Sequence, residues 1–200
     1  MPSFDKYPRV LRYLAGLPRE LGSYPECVQK ASVLRQFLKL APPGWRSELP
    51  APLDALVRDP PPLTAWIPEV HATAVYLAIV DARGWEDREF VAQSLQMNRE
   101  LLQSPLYRIL MTVVSPKRMV HGGTGRWKAM HPGIELSARM DSETSALFDL
   151  AFPRRLVPTL IAQCYATGIQ AALERASARE VKASMLLWTD ESAAYRCDWS

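Results

Sequence analysis

At Ile134 the spacing of apolar residues changes from the period of a helix to the period of a strand, and no other feature of the 200-residue chain constrains its fold as tightly. In "GIELSARMDSE", Ile134, Leu136, Ala138 and Met140 alternate with Glu135, Ser137, Arg139 and Asp141. Successive side chains of a strand point to opposite faces, so this alternation makes one face apolar and the other polar. "TSALFDLAF" follows a short polar turn and completes a hairpin. A helical stretch begins at Val157-Pro158, with Ile161, Tyr165, Gly168, Ile169, Ala172 and Leu173 on one face and Ala176 extending it. "VKASMLLW" and "AAYRCDW" are two further strands joined by "TDES", and "RWKAM" is a candidate strand ahead of the set. The order is β-β-α-β-β. A sheet with one apolar face and a helix with one apolar stripe bury both by packing on each other. The fold class expected is therefore α+β: a helical N-terminal half, then an antiparallel sheet covered by a long helix.

Upstream, the period is helical. Phe4–Ala15 reads as a first helix, and a second starts near Pro25 with Cys27, Ala31, Leu34 and Leu38 on one face. Eight of the seventeen prolines then fall between Pro42 and Pro68. Proline fixes φ and removes a donor, so residues 42–68 read as an extended or turn-rich connector wrapped on the surface. It carries Trp45, Leu53, Leu56, Val57, Leu63 and Trp66, apolar side chains that a free linker would not keep. After Pro68 comes a helix ending near Arg83-Gly84. A second, "EDREFVAQSLQMNRELL", has acids in its first turn, where the helix dipole favours them. Ser104-Pro105 and Ser115-Pro116 each read as an N-cap before a first-turn proline, opening "LYRILMTVV" and "KRMVHGG". The organisation expected is one domain over 1–200: N-terminal helices to 41, the connector over 42–68, a helical region over 69–123, and a sheet-and-helix region over 124–200.

With 48% hydrophobic and 22% charged residues, the chain buries a core and falls outside the disordered class. A net charge of +3 argues against a nucleic-acid partner. No apolar run reaches the roughly 18 residues of a membrane span, and the N-terminus lacks the apolar core of a secretory signal. Three widely spaced cysteines, Cys27, Cys164 and Cys197, suit reduced thiols. The compartment expected is the cytoplasm, with no membrane partner.

Catalytic signatures are lacking. The three histidines, at positions 71, 121 and 131, have no metal-ligand spacing, so no metal site is expected. Cys164 and Cys197 read as small buried apolar residues. "VHGGTGRWKAMHPG" lacks the Gly-Lys-Ser/Thr of a phosphate loop and reads as a helix C-cap with Gly122 or Gly123 at positive φ. Its window, Pro105 to Ile134, contains no acidic residue and holds Arg108, Lys117, Arg118, Arg126 and Lys128, with His121 among them. Those six residues form a candidate surface for an anion or an acidic partner, the alternative being a solvated face. Gly168 costs about 0.5–1 kcal/mol relative to alanine inside a helix. The offset expected is close approach to a large sheet residue such as Trp188 or Phe148, with a ligand cleft as the alternative. That cleft would be lined by Phe148, Ile161, Tyr165, Gly168, Ile169 and Met185.

The segments "SPLYRILMTVVSPKRMVHGGTGRW", "HPGIELSARM" and "GIQAALERASAREVKASMLLW" with its "AAYRCDW" ending resemble a myxobacterial paralogous family of roughly 200-residue proteins of unknown function. Gly168, Leu173 and Trp199 carry the helix-and-final-strand part of that resemblance, while residues 1–68 have no counterpart in it. The β-β-α-β-β layout is also similar to vinyl-reductase-type small-molecule-binding domains. The first resemblance implies no activity, and the second implies binding without chemistry.

The function expected from the sequence is a non-enzymatic regulatory or interaction protein that binds a partner protein or ligand. The alternative is a small-molecule sensor with an apolar pocket between helix and sheet. No cofactor is expected; a second copy of the chain is a further partner class, and Trp45 and Trp66 are candidate interface residues against a core role.

Overall fold

The computed structural model describes residues 6–110 and 115–200, and divides into two compact units, Met1–Phe90 and Val91–Ser200. The first is built on helix α1 (Pro8–Ala15), strand β1 (Val28–Lys30), helix α2 (Ala31–Phe37), helix α3 (Ala51–Arg58), strand β2 (Trp66–Pro68) and helix α4 (Glu69–Arg83). Helix α5 (Asp87–Gln103) contains the boundary between the units. Of the expected Phe4–Ala15 helix, residues 4 and 5 lie outside the described residues.

The first unit is organised around α4. Residues Val70, Ala74, Leu77 and Ala78, expected inward, are buried, and so are Ala72, Val75, Tyr76, Ile79 and Val80 on its other sides. Such a helix is apolar all round and sits inside the unit. It ends where predicted, with Gly84 at φ 66° in the left-handed region that terminates helices. Helix α1 packs on it, and Arg9 ties the two together: its backbone N–H donates to Asp81 Oδ2 at 2.9 Å and its Nε lies 3.3 Å from Oδ1.

Two expectations are corrected here. The helix read as starting near Pro25 is divided, because Val28–Lys30 pairs antiparallel with Trp66–Pro68 (Gln29 opposite Ile67) and helix geometry starts only at Ala31. The Pro-rich segment is also more ordered than an extended connector, since it contains α3 and β2. Pro50 and Pro52 stand at the N-terminus of α3, where the missing N–H groups have no intrahelical acceptor to lose. Trp45, Leu53 and Val57 are buried, and the Tyr7 hydroxyl donates to Trp45 O. Trp66 is 45% exposed, with the Lys30 ammonium 3.3 Å from its ring centroid.

The second unit contains the α5 residues from Val91 on, then helices α6 (Pro105–Leu110), α7 (Pro116–His121) and α8 (Gly123–Lys128). Strands β3 (Glu135–Ser142) and β4 (Ser145–Ala151), helix α9 (Thr159–Arg175), and strands β5 (Lys182–Trp188) and β6 (Ser192–Asp198) complete it. The expected β-β-α-β-β order is present, and the fold is α+β. Ser115 caps α7, its hydroxyl accepting from Arg118 N–H, as the Ser-Pro pair predicts. Positions 111–114 of the expected "LYRILMTVV" helix lie outside the described residues.

All pairings in the sheet are antiparallel, in the order β3-β4-β6-β5. The register aligns Leu136 with Leu150 and then Ala193, and Ala138 with Phe148 and then Tyr195. This gives one continuous apolar face, and α9 covers its β5–β6 side. Two long-range hydrogen bonds fix that packing: the Tyr195 hydroxyl donates to Ala162 O and Trp188 Nε1–H donates to Val157 O, both at 3.0 Å. Ile161, Ile169 and Leu173 are buried beneath the helix.

"RWKAM" is helical, a further correction. Trp127 belongs to α8, which packs on β3, and its indole N–H donates to Ile134 O at 3.0 Å. Gly122 has φ −92° and links α7 directly to α8, so neither Gly122 nor Gly123 supplies the expected positive-φ cap. That conformation is taken by Gly133, at φ 87°, just before β3.

Candidate functional site

An apolar pocket opens inside the second unit, on the side of the sheet covered by α8 and α9. Helix α9 contributes Gly168, Ile169, Ala172 and Leu173; α5 contributes Asn98 and Leu102. The α7–α8 segment supplies Met119, Gly123, Arg126, Trp127 and Met130, and the sheet supplies Leu136 and Phe148. The cavity volume is about 100 Å³.

Local sequence explains each wall. Leu136 and Phe148 face the pocket because the alternation of β3 and β4 turns them to the same side of the sheet. The start of α8 lies against β3 at Gly123, where a methyl group would stand 3.6 Å from Ala138 Cβ and 3.9 Å from Leu136 Cδ2, ordinary contacts that do not require the glycine. Gly168 occupies a different setting from the one expected. A methyl group on it would have Asn98 Nδ2, on α5, as its nearest neighbour at 3.7 Å, an ordinary contact, with no sheet residue within 4 Å. The glycine makes no room for Trp188 or Phe148; it leaves part of the pocket wall bare.

Behind that wall lies a polar lock. Thr167 donates to Cys164 O at 2.7 Å and accepts from Asn98 Nδ2 at 3.0 Å, while its Oγ1 lies 3.0 Å from Ser94 Oγ. On the other flank, Trp127 stacks on His131 with ring centroids 4.5 Å apart, and Tyr165 meets Trp127 edge-on at 5.1 Å. This cluster fixes the indole whose other side forms pocket wall.

Of the six residues read as a pocket, the structure brings Phe148, Gly168 and Ile169 together on its wall. Ile161 is buried nearer the N-terminus of α9, Tyr165 belongs to the aromatic cluster, and Met185 is half-buried on β5. Contributions from α5 and from α7–α8 were not read from the sequence. The signal for them was present in the apolar face of "EDREFVAQSLQMNRELL" and in the three glycines, Gly122, Gly123 and Gly125, ahead of Trp127. Of the basic set, Lys117, Arg118, His121 and Lys128 are exposed on α7 and α8. Arg126 is half-buried and lines the pocket instead, and the Arg108 side chain lies outside the described residues.

Burial shifts several titratable side chains. Burial pushes the thiols of Cys27 and Cys197 up to about 12, with neighbouring carboxylates adding to the effect. Burial likewise raises the Tyr195 phenol. His71 is lowered by burial, its Nε2 3.2 Å from Leu21 O. Among the described residues, no three His, Cys, Asp or Glu side chains gather as a metal site, and no helix is long and apolar enough to cross a membrane.

No protein-family model matches the sequence, and no curated protein does. The resemblance to a myxobacterial paralogous family therefore gains no support. Solved structures do match. An oxygen-binding H-NOX domain related to soluble guanylate cyclases aligns with TM-score 0.56 at 8% identity, over 86% of this chain and 95% of that one. A point mutant of T. tengcongensis H-NOX gives 0.54 at 10% identity, over 86% and 97%. A structure concerned with haem redox potential and porphyrin distortion gives 0.57 at 7%, over 84% and 92%. The likeness is one of fold.

Proposed function

We propose that the chain is a non-enzymatic small-molecule sensor, whose ligand enters the apolar pocket of the Val91–Ser200 unit. The pocket itself carries this reading: an apolar cavity with a few polar groups at its edge is how proteins hold small ligands. Its support from the H-NOX fold is that at least one such neighbour is described as binding oxygen. The sensor reading, second choice on sequence alone, is thereby favoured over a purely protein-binding role.

Haem, in terms of which some of these neighbours are described, does not fit this pocket. A volume of about 100 Å³ falls well below the roughly 300 Å³ at which sites for drug-sized ligands begin. Among the described residues no His, Cys or Tyr stands on its wall to hold an iron; Met119 and Met130 do, and methionine serves haem in company with histidine. The ligand favoured is a much smaller, largely apolar molecule.

The test is a melting-temperature screen of the purified chain against small apolar compounds, run beside an Ala172→Leu variant whose added side chain fills the cavity. Compounds that raise the melting temperature of the native chain and leave the variant unmoved support the reading. A screen in which both proteins respond alike, or neither responds, overturns it.

A further inference from the structure

Of the buried side-chain polar atoms without a hydrogen-bond partner among the described residues, only Arg126 Nε belongs to a residue of the pocket wall. A buried donor left unpaired is costly, and ligand binding is one way in which such a cost is recovered. The arginine is held there by a specific device. Its guanidinium lies across Gly122, where a methyl group would be 1.9 Å from Nη1 and 3.0 Å from Cζ. Only glycine at 122 leaves the guanidinium in that place.

The charge has no competitor in the wall. Among the described residues no acidic one lines the pocket, and none occurs in the sequence between Pro105 and Ile134. Asn98, the other polar lining residue, already directs its amide N–H groups to Thr167 and Ser94. The cavity therefore presents apolar surface from Ile169, Phe148 and Leu173 beside one incompletely bonded, permanently charged donor group. That pairing matches an amphiphile with a short apolar tail and an anionic head. A planar carboxylate fits the planar donor fork of a guanidinium better than other small anions of like size. Tail length is limited by volume: a cavity of about 150 Å³ takes benzene, and this one is smaller, at about 100 Å³.

We infer that the pocket takes a short-chain monocarboxylate, its alkyl tail against Gly168, Ile169 and Phe148 and its carboxylate on Arg126. This rests on the small-molecule reading above and names the ligand class. Binding is non-covalent.

Isothermal titration calorimetry of the full chain with butanoate and with butanol tests it, probes whose alkyl tails are smaller than benzene. Butanoate binds more tightly than butanol to the native chain. Arg126→Gln weakens butanoate about 10- to 100-fold, as expected for a lost charge-assisted hydrogen bond, and leaves butanol within about 2-fold. Gly122→Ala produces the same selective loss, since it displaces the guanidinium while keeping its charge. That variant decides the matter if Arg126→Gln fails to fold. Butanoate binding no tighter than butanol, or unchanged in both variants, overturns the carboxylate inference and leaves the small-molecule reading standing. If neither probe binds, or Ala172→Leu alters neither, the small-molecule reading itself fails.

Discussion

Replacing Thr167 with valine probes the joint between α5 and α9 with almost no change in shape. The Thr167 hydroxyl uses its full bonding capacity, giving its proton to Cys164 O and accepting from Asn98 Nδ2 and Ser94 Oγ at 3.0 Å each. Because its single proton is committed to Cys164, Ser94 must be the donor in their shared bond. Valine removes all three interactions. The Cys164 carbonyl lies inside α9 and retains its helix bond, while Asn98 retains a longer 3.4 Å contact to Ser94. The dominant loss is Ser94, fully buried at 0% exposure and left with a donor aimed at a methyl group. An orphaned buried hydroxyl costs about 1–3 kcal/mol, and the weakened Asn98 bond adds about 0.5–1 kcal/mol. A destabilisation of about 2 kcal/mol follows, read as a melting-temperature fall of about 4–8 °C in a chain of this size. Urea titration gives the free energy directly. The decisive arm is the Ser94→Ala, Thr167→Val double variant, in which donor and acceptor leave together. It is more stable than Thr167→Val alone, because the fully buried Ser94 hydroxyl is no longer left without an acceptor, and the Asn98 amide, which loses both of its partners, is only half-buried. A double variant as unstable as the sum of the two single changes would refute this account of the joint.

Gly168→Ala stabilises the chain by about 0.5–1 kcal/mol, since the new methyl group has room at 3.7 Å from Asn98 and the helix loses a flexible residue; differential scanning calorimetry reads it. Tyr195→Phe costs about 1 kcal/mol at neutral pH through the lost bond to Ala162 O. Because burial raises that phenol above 10.0, its proton is held more tightly when folded, so native stability falls as pH rises past the unfolded value and the phenylalanine variant falls less steeply. Glu174, held below 4.5 chiefly by the hydrogen bonds it accepts from Arg99 at 2.7 Å, contributes stability above that pH and loses it on acidification. Glu174→Gln therefore costs up to about 1 kcal/mol at pH 7 and nothing at low pH, as acid titrations of both proteins would show. Cys27 and Cys197, with thiols at about 12, react with a disulfide reagent only as fast as the fold opens, so mild urea accelerates labelling in parallel with unfolding.

The sheet and its covering helix were legible because each rests on a periodicity that one sequence can display. Leu136 and Met140 alternate with Ser137 and Arg139 across a half-buried strand, and no helix would bury that set. The places where the reading failed are those in which a distant partner decides. Val28–Lys30 is drawn out of a helix by strand β2, which lies nearly forty residues away in sequence. "RWKAM" is too short for its alternation to outweigh the packing of Trp127 beneath Ile134. Pro50 and Pro52 read as helix breakers in isolation, yet at the start of α3 they break nothing.

The pocket was half legible, and Arg126 shows why. Counted with its neighbours, it belongs to a basic stretch whose ordinary fate is a solvated surface, and Lys117, Arg118 and Lys128 meet that fate. What separates Arg126 from them is not its charge but the glycine four residues earlier on the same turn of helix. An arginine one helical turn after a glycine can lie across the bare backbone; with any other residue at 122, a side chain would occupy that space. The pair Gly122–Arg126 is therefore one structural unit, while Lys117, Arg118 and Lys128 stay in water. The same logic applies to Gly168 on α9, whose missing side chain bares the wall opposite Arg126's helix. Gly168 thus leaves cavity wall bare, while Gly122 leaves room for the guanidinium of the wall residue Arg126.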